Sequence, residues 1–120
     1  MDKLMLYRDL IVWQKAMELV KETYILVKKL PKEETYALSD QMRRAAISIP
    51  SNIAEGNGRK SKSEYIRFLD ISRGSLYELE TQIYIGVMLG FFDESETQEI
   101  LLLITEVDKM INSLITKLGE

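Results

Sequence analysis

Between Gln41 and Arg73 the chain gathers seven cations, Arg43, Arg44, Arg59, Lys60, Lys62, Arg67 and Arg73, against three acids, Glu55, Glu64 and Asp70. The chain as a whole is net −3, so this stretch is a local positive field on an acidic protein. Its natural ligand would be phosphate, because a guanidinium can donate two hydrogen bonds to one anion while lysine supplies a mobile point charge. These seven residues are the candidate nucleic-acid contacts. The competing reading is structural: several of these cations pair with Glu55, Glu64, Asp70 or Glu78 or simply solvate their helices, and Arg43 and Arg44 serve contacts between subunits. Tyr65 and Phe68, the aromatic residues nearby, fall at core spacing, so base stacking and sequence-specific readout have little support.

Other chemistry is thin. The 120 residues contain no His and no Cys, which removes most zinc sites, Ser-His and Cys-His nucleophile pairs and the Glu-x-x-His pattern of di-iron bundles. Asp93, Glu94, Glu96 and Glu99 contain a Glu-x-x-Glu spacing of the kind that holds Mg²⁺ in helical nucleotide hydrolases. They also open a helix, where its dipole favours acids, and no partner carboxylates are apparent on another segment. Asn52 and Glu55 are better explained as groups satisfying the backbone near a proline and a helix end. No catalytic, cofactor-binding or metal-binding residue is therefore expected, and a non-enzymatic protein is.

The elements that carry these residues read as four helices. In the first, up to Leu30, Trp13, Ala16, Met17, Val20, Tyr24 and Val27 recur at helical spacing, Asp9 suits the N-cap, and Pro31 stops the run. Leu4, Leu6 and Tyr7 ahead of it are candidates to pack. The second follows a short polar turn, with Tyr36, Leu38, Met42, Ala45, Ala46, Ile49 and Ile53 as its stripe and a kink at Pro50, through which the stripe keeps its phase. Small residues (Ala45, Ala46, Ser48, Ser51, Ala54) invite close helix contact, and Gly56 and Gly58 end the helix with a left-handed residue.

Ser61 and Glu64 form a capping-box pattern that opens a third helix running to about Leu89, with Gly74 and Gly86 inside it as points of close approach. Gly90 closes it, Phe91 and Phe92 cover the corner, and Asp93 with Glu96 starts a fourth helix striped by Ile100, Leu103, Ile104, Val107, Met110, Ile111, Leu114 and Leu118. The six methionines read as core filler. The expected architecture is all-α, an up-down-up-down antiparallel four-helix bundle of one domain spanning residues 1–120. Charges at Asp2, Lys3, Arg8, Asp9 and Lys15 argue against a leader or a membrane span, and a cytoplasmic protein is expected. Ile11, Ile25, Ile47, Tyr77, Tyr84, Ile85, Leu101 and Ile115 lie off the main stripes, which points to a second buried surface and to self-association.

QMRRAAISIPSNIAEG, followed by Gly58-Arg59 and SEYIRFLDISRGSLYELETQ, resembles the bacterial four-helix-bundle family of intervening-sequence proteins. That family is named for reading frames in insertions within large-subunit rRNA genes and is sometimes carried under a ribosomal-protein label. YRDLIVWQKAMELV and the Leu-Pro after helix one match as well, so the resemblance covers nearly the whole chain. It implies a homopentamer of four-helix bundles. The accessory proteins of diversity-generating retroelements are similar in fold and assembly, and they bind nucleic acid and a reverse transcriptase. Asn57 stands where many members have an aromatic residue, Ser72 stands where Ala is common, and this chain is acidic where the retroelement proteins are basic. The leading expectation is a homo-oligomeric scaffold whose basic surface takes RNA or an RNA-associated protein. The alternative is a purely protein-binding or structural oligomer.

Overall fold

The computed structural model describes residues 6–120, so Leu4 and the rest of the first five residues lie outside it. A 3₁₀ turn at Tyr7–Asp9 leads into α1 (Ile11–Val27); a second at Lys32–Glu34 precedes α2 (Leu38–Asn57); α3 (Lys62–Met88) and α4 (Glu94–Gly119) complete the chain. Short connections make sequential helices antiparallel neighbours, and α4 returns against α1 to close the bundle, which measures 53 × 24 × 20 Å. No strand occurs among the described residues. Leu19, Met42, Ile49, Ile53, Leu69, Leu76, Leu79, Ile83, Ile104, Val107 and Ile111 are fully buried along its axis.

Helix α1 differs most from expectation. Leu10, not Asp9, precedes its first turn, and it ends at Val27, with a turn carrying the chain to Pro31. Val12, Ala16, Leu19, Thr23 and Leu26 face the core, while Met17 and Tyr24 are exposed and Trp13 and Val20 are half-buried. The helix is apolar over two adjacent sectors, and periodicity alone does not say which is inward. Thr23 tolerates complete burial because its hydroxyl donates to the Leu19 carbonyl at 2.8 Å.

Helix α2 runs unbroken through Pro50, and Met42, Ala45, Ala46, Ile49 and Ile53 are buried as its stripe requires. Tyr36 precedes the helix and is 94% exposed. Gly56 lies inside the last turn, where a Cβ would stand 2.8 Å from that of Phe68, so glycine here permits close approach of α3. Gly58 has φ −84°, and the left-handed residue is instead Gly90, at φ +81°, closing α3. Ser72 is fully buried and donates to the Ile49 carbonyl at 2.7 Å, while Ser75 donates to Ser48 at 2.8 Å. Small side chains and these polar ties bind α2 tightly to α3.

At the start of α3 the Ser61 hydroxyl accepts from the Glu64 amide at 3.1 Å, but the Glu64 carboxylate turns to Arg67 instead of completing the box. The reciprocal box forms at α4, where the Asp93 side chain accepts from Glu96 and the Asp93 amide donates to the Glu96 carboxylate at 2.8 Å. Met42 is core, whereas Met17 and Met88 are exposed at 45% and 74%.

The two glycines inside α3 have different causes, and alanine separates them. A Cβ at Gly86 would run into the buried Phe92 ring, while nothing lies within 4 Å of one at Gly74. Gly86→Ala is expected to destabilise by about 1–3 kcal/mol through overpacking. Gly74→Ala is expected to stabilise by up to about 1 kcal/mol through helix propensity. Chemical-denaturation midpoints of the two variants check the opposite signs.

One ion pair between α1's C-terminal turn and α4 titrates. Lys29 meets Glu96 at 2.8 Å; the hydrogen bond to Glu96 raises the lysine pKa, and the same bond lowers that of the carboxylate. Glu96 therefore contributes stability above its unfolded pKa and loses it as pH falls through the depressed folded value. Lys29 contributes below its unfolded pKa and loses it as pH rises through the raised one. Glu96→Gln keeps an oxygen for the Asp93 amide. Between about pH 6 and pH 3 its melting temperature should fall less than that of wild type.

Candidate interaction surfaces

The seven cations do not form one patch. Arg43 and Arg44 sit near the start of α2, and about 15 residues, roughly 22 Å of helix, separate them from the α2–α3 corner. Arg44 Nε donates to Asp40 at 2.9 Å, a bond that also raises its pKa, and Arg43 reaches the Thr35 carbonyl at 3.5 Å. Arg73 lies farther along α3 and belongs to the α3–α4 contact. It bonds Asp70 and the Tyr77 hydroxyl, each at 3.4 Å, and Tyr77 donates to Asp108 of α4 at 2.8 Å. The Tyr77 hydrogen bond is the main cause that raises the arginine's pKa, and the nearby carboxylates add to it. Arg73 is thus a bracing residue between helices.

Arg59, Lys60, Lys62 and Arg67 do come together, at the corner. Arg59 pairs with Glu55 at 2.7 Å and Arg67 with Glu64 at 3.2 Å, and both guanidinium groups stand 4.7 Å from the centre of the Phe68 ring. Such stacking holds the two forks in place, at about 0.5–1 kcal/mol each. Phe68 is buried, as its spacing implied, and Asn57 donates to the Tyr65 hydroxyl at 3.2 Å in the same corner. Lys60 and Lys62 are exposed, and neither has an ion-pair partner among the described residues. The corner is a small basic end to the bundle, with two arginines paired and stacked on Phe68 and two exposed lysines without ion-pair partners among the described residues.

Asn52 donates to the Ser48 carbonyl at 2.8 Å, the backbone role expected of it. Asp93 and Glu96 cap α4, and among the described residues no three acidic groups approach closely enough to hold a metal ion.

One apolar surface was only partly foreseen. Beside the core, α1 and α2 form an outer groove of about 330 Å³ lined by Tyr7, Trp13, Met17, Val20, Ile47, Pro50, Ser51 and Ala54. Tyr7 and Trp13 meet edge to face at 5.4 Å, while Tyr24 and Ile47 are exposed at 39% and 45%. Across the bundle, on the α3–α4 side, a row on α3 exposes Tyr77 (41%), Tyr84 (55%) and Met88 (74%). Of the eight off-stripe residues, Ile11, Ile25, Ile47, Tyr77 and Tyr84 are exposed, whereas Ile85, Leu101 and Ile115 are half-buried. No helix is long and apolar enough to cross a membrane among the described residues.

No curated protein matches the chain. A crystal structure of a protein of unknown function from the S23 ribosomal protein family of Bacteroides thetaiotaomicron shares the fold, with a TM-score of 0.78, 22% identity, and coverage of 88% of this chain and 98% of that one. The model of the 23S rRNA-intervening sequence protein family matches residues 8–113, nearly the whole bundle, and the chain belongs to that family.

Proposed function

We propose that this protein is a non-enzymatic, cytoplasmic scaffold that works as a homo-oligomer, a pentamer by its family resemblance, and offers the basic α2–α3 corner to RNA or an RNA-associated protein. The observation that carries the reading is the pair of apolar surfaces on opposite sides of one bundle. A ring repeats a single contact between two different patches, and the groove on the α1–α2 side and the aromatic row on the α3–α4 side have that disposition. Five copies of the corner would act together on one polyanion, raising avidity without any new contact. A purely protein-binding oligomer is the second reading, favoured by the ion pairs that already occupy Arg44, Arg59, Arg67 and Arg73.

Light scattering tests the assembly in about 500 mM salt, which screens surface ion pairs. A ring of five 13.9 kDa chains has a mass of about 70 kDa. A monomer's mass at micromolar concentration would end the scaffold reading, and a dimer's mass would end the pentamer.

A further inference from the structure

The face formed by α1 and α4 uses neither the groove nor the aromatic row, yet it too is unfinished. Three apolar side chains stand out along it: Ile11 at 62% exposure, Leu102 at 70% and Ile25 at 47%. Its charges are sorted by position. Around Ile11, a groove of about 540 Å³ between the start of α1 and the end of α4 is floored by Leu10, Val12, Met110 and Leu114 and edged by Lys109 and Lys117. Farther along, Glu18, Glu22, Glu99 and Glu106 surround Leu102, with Lys15 as the cation among them. Lys15 is shared by Glu18 at 3.9 Å and Glu106 at 3.6 Å, and Lys29 is taken by Glu96. Among the described residues this leaves Lys109 and Lys117 at one end, and Glu22 and Glu99 towards the other, without ion-pair partners.

We infer that this face binds the same face of a second copy of the chain about a two-fold axis perpendicular to the helices, α1 on α1 and α4 on α4, each pair antiparallel. The ends of the face select that axis. A two-fold parallel to the helices would set lysine end on lysine end, whereas the perpendicular one sets Lys109 against the Glu22–Glu99 end, twice over. It also brings Glu18 of each copy near Glu18 of the other at the axis, a like-charge approach that Lys15 beside it offsets in part and that keeps the contact weak. The same rotation carries Ile11 of each copy onto Ile25 of the other. From Ile11 to Lys29 the face is about 27 Å long and two helices, roughly 20 Å, wide. It would bury on the order of 1,100 Å² in total, close to the lower bound for a specific interface. The contact is accordingly weak and salt-sensitive. It stands apart from the proposed ring, and either can exist without the other.

The chain has no cysteine, so introduced thiols report the contact cleanly. Ile11 and Ile25 are exposed residues about 21 Å apart on one helix, which prevents a disulfide within a chain. In about 50 mM salt under mild oxidation, mixing Ile11→Cys with Ile25→Cys protein should give a covalent dimer on a non-reducing gel, while neither variant alone gives one. Adding Lys109→Glu to both proteins should reduce the dimer several-fold, and adding Glu99→Lys as well should restore it. Absence of dimer in the mixture, as would follow if another partner covers this face, overturns the inference. Dimer in either single variant, or a yield indifferent to Lys109→Glu, overturns it equally. A monomeric mass at high salt together with the cross-link at low salt would remove the ring and keep this contact.

Discussion

Replacing Met17 and Ile47 together by lysine is expected to take the assembly apart, from about 70 kDa to the 13.9 kDa of one chain, with the helical circular dichroism intact. Both side chains are 45% exposed in the isolated bundle, so their removal costs the core little. The rest of the lining is Tyr7, Trp13, Val20, Pro50, Ser51 and Ala54, which offers an ammonium group no negative charge. Covering the groove with a neighbouring subunit would strip water from two charges at once, a cost of several kcal/mol per contact. A ring contains that contact five times, and the loss should be complete at micromolar concentration. Light scattering of the double variant beside wild type decides it. Equal masses would show that subunits do not meet through this groove.

The groove also marks where reading from sequence stopped. Trp13, Met17, Val20 and Tyr24 have the spacing of a buried stripe, and burial of a stripe is what spacing can announce. The inward face of α1 proved to be the neighbouring sector through Val12, Leu19 and Thr23, a polar residue whose hydroxyl is absorbed by its own helix. Helices α2 and α4 were legible in their buried stripes, and α4 also in its start, the Asp93–Glu96 box. By contrast, Tyr36 falls before α2, and Gly58 does not take the left-handed turn expected at its end. The basic cluster was legible as composition but not as a surface. Asp40, Glu55, Glu64 and Asp70 stand three or four residues before Arg44, Arg59, Arg67 and Arg73, the spacing at which helical side chains meet, and those pairs form. Asp108, the distant partner in the Arg73–Tyr77 network, becomes visible only once α4 lies against α3.

Replacing Arg59, Lys60 and Lys62 together by glutamate is expected to abolish RNA retention by the oligomer while leaving its mass unchanged. The argument starts from the corner's geometry. Arg59 is held between Glu55 and Phe68, Arg67 against the same ring, and Lys60 and Lys62 project beside them into solvent. Reversing three of these charges turns this end of the bundle from basic to acidic, on a chain that already carries a net charge of −3. With three or four phosphate contacts at one corner on a single strand, wild-type affinity should fall about 20–50-fold for each corner engaged between about 50 and 200 mM salt, largely without regard to base sequence. The stacking of Phe68 against arginine inside the corner leaves no exposed aromatic platform there for bases, in keeping with that indifference. Arg43→Glu with Arg44→Glu is the control: it reverses two charges instead of three, roughly 22 Å away along α2, and should leave most of the retention in place. Filter binding with structured and single-stranded RNA at about 50 and 200 mM salt makes the comparison. Wild-type protein that retains neither RNA at the lower salt, or a triple variant that binds as well as wild type, would leave the protein-binding oligomer as the function of this bundle.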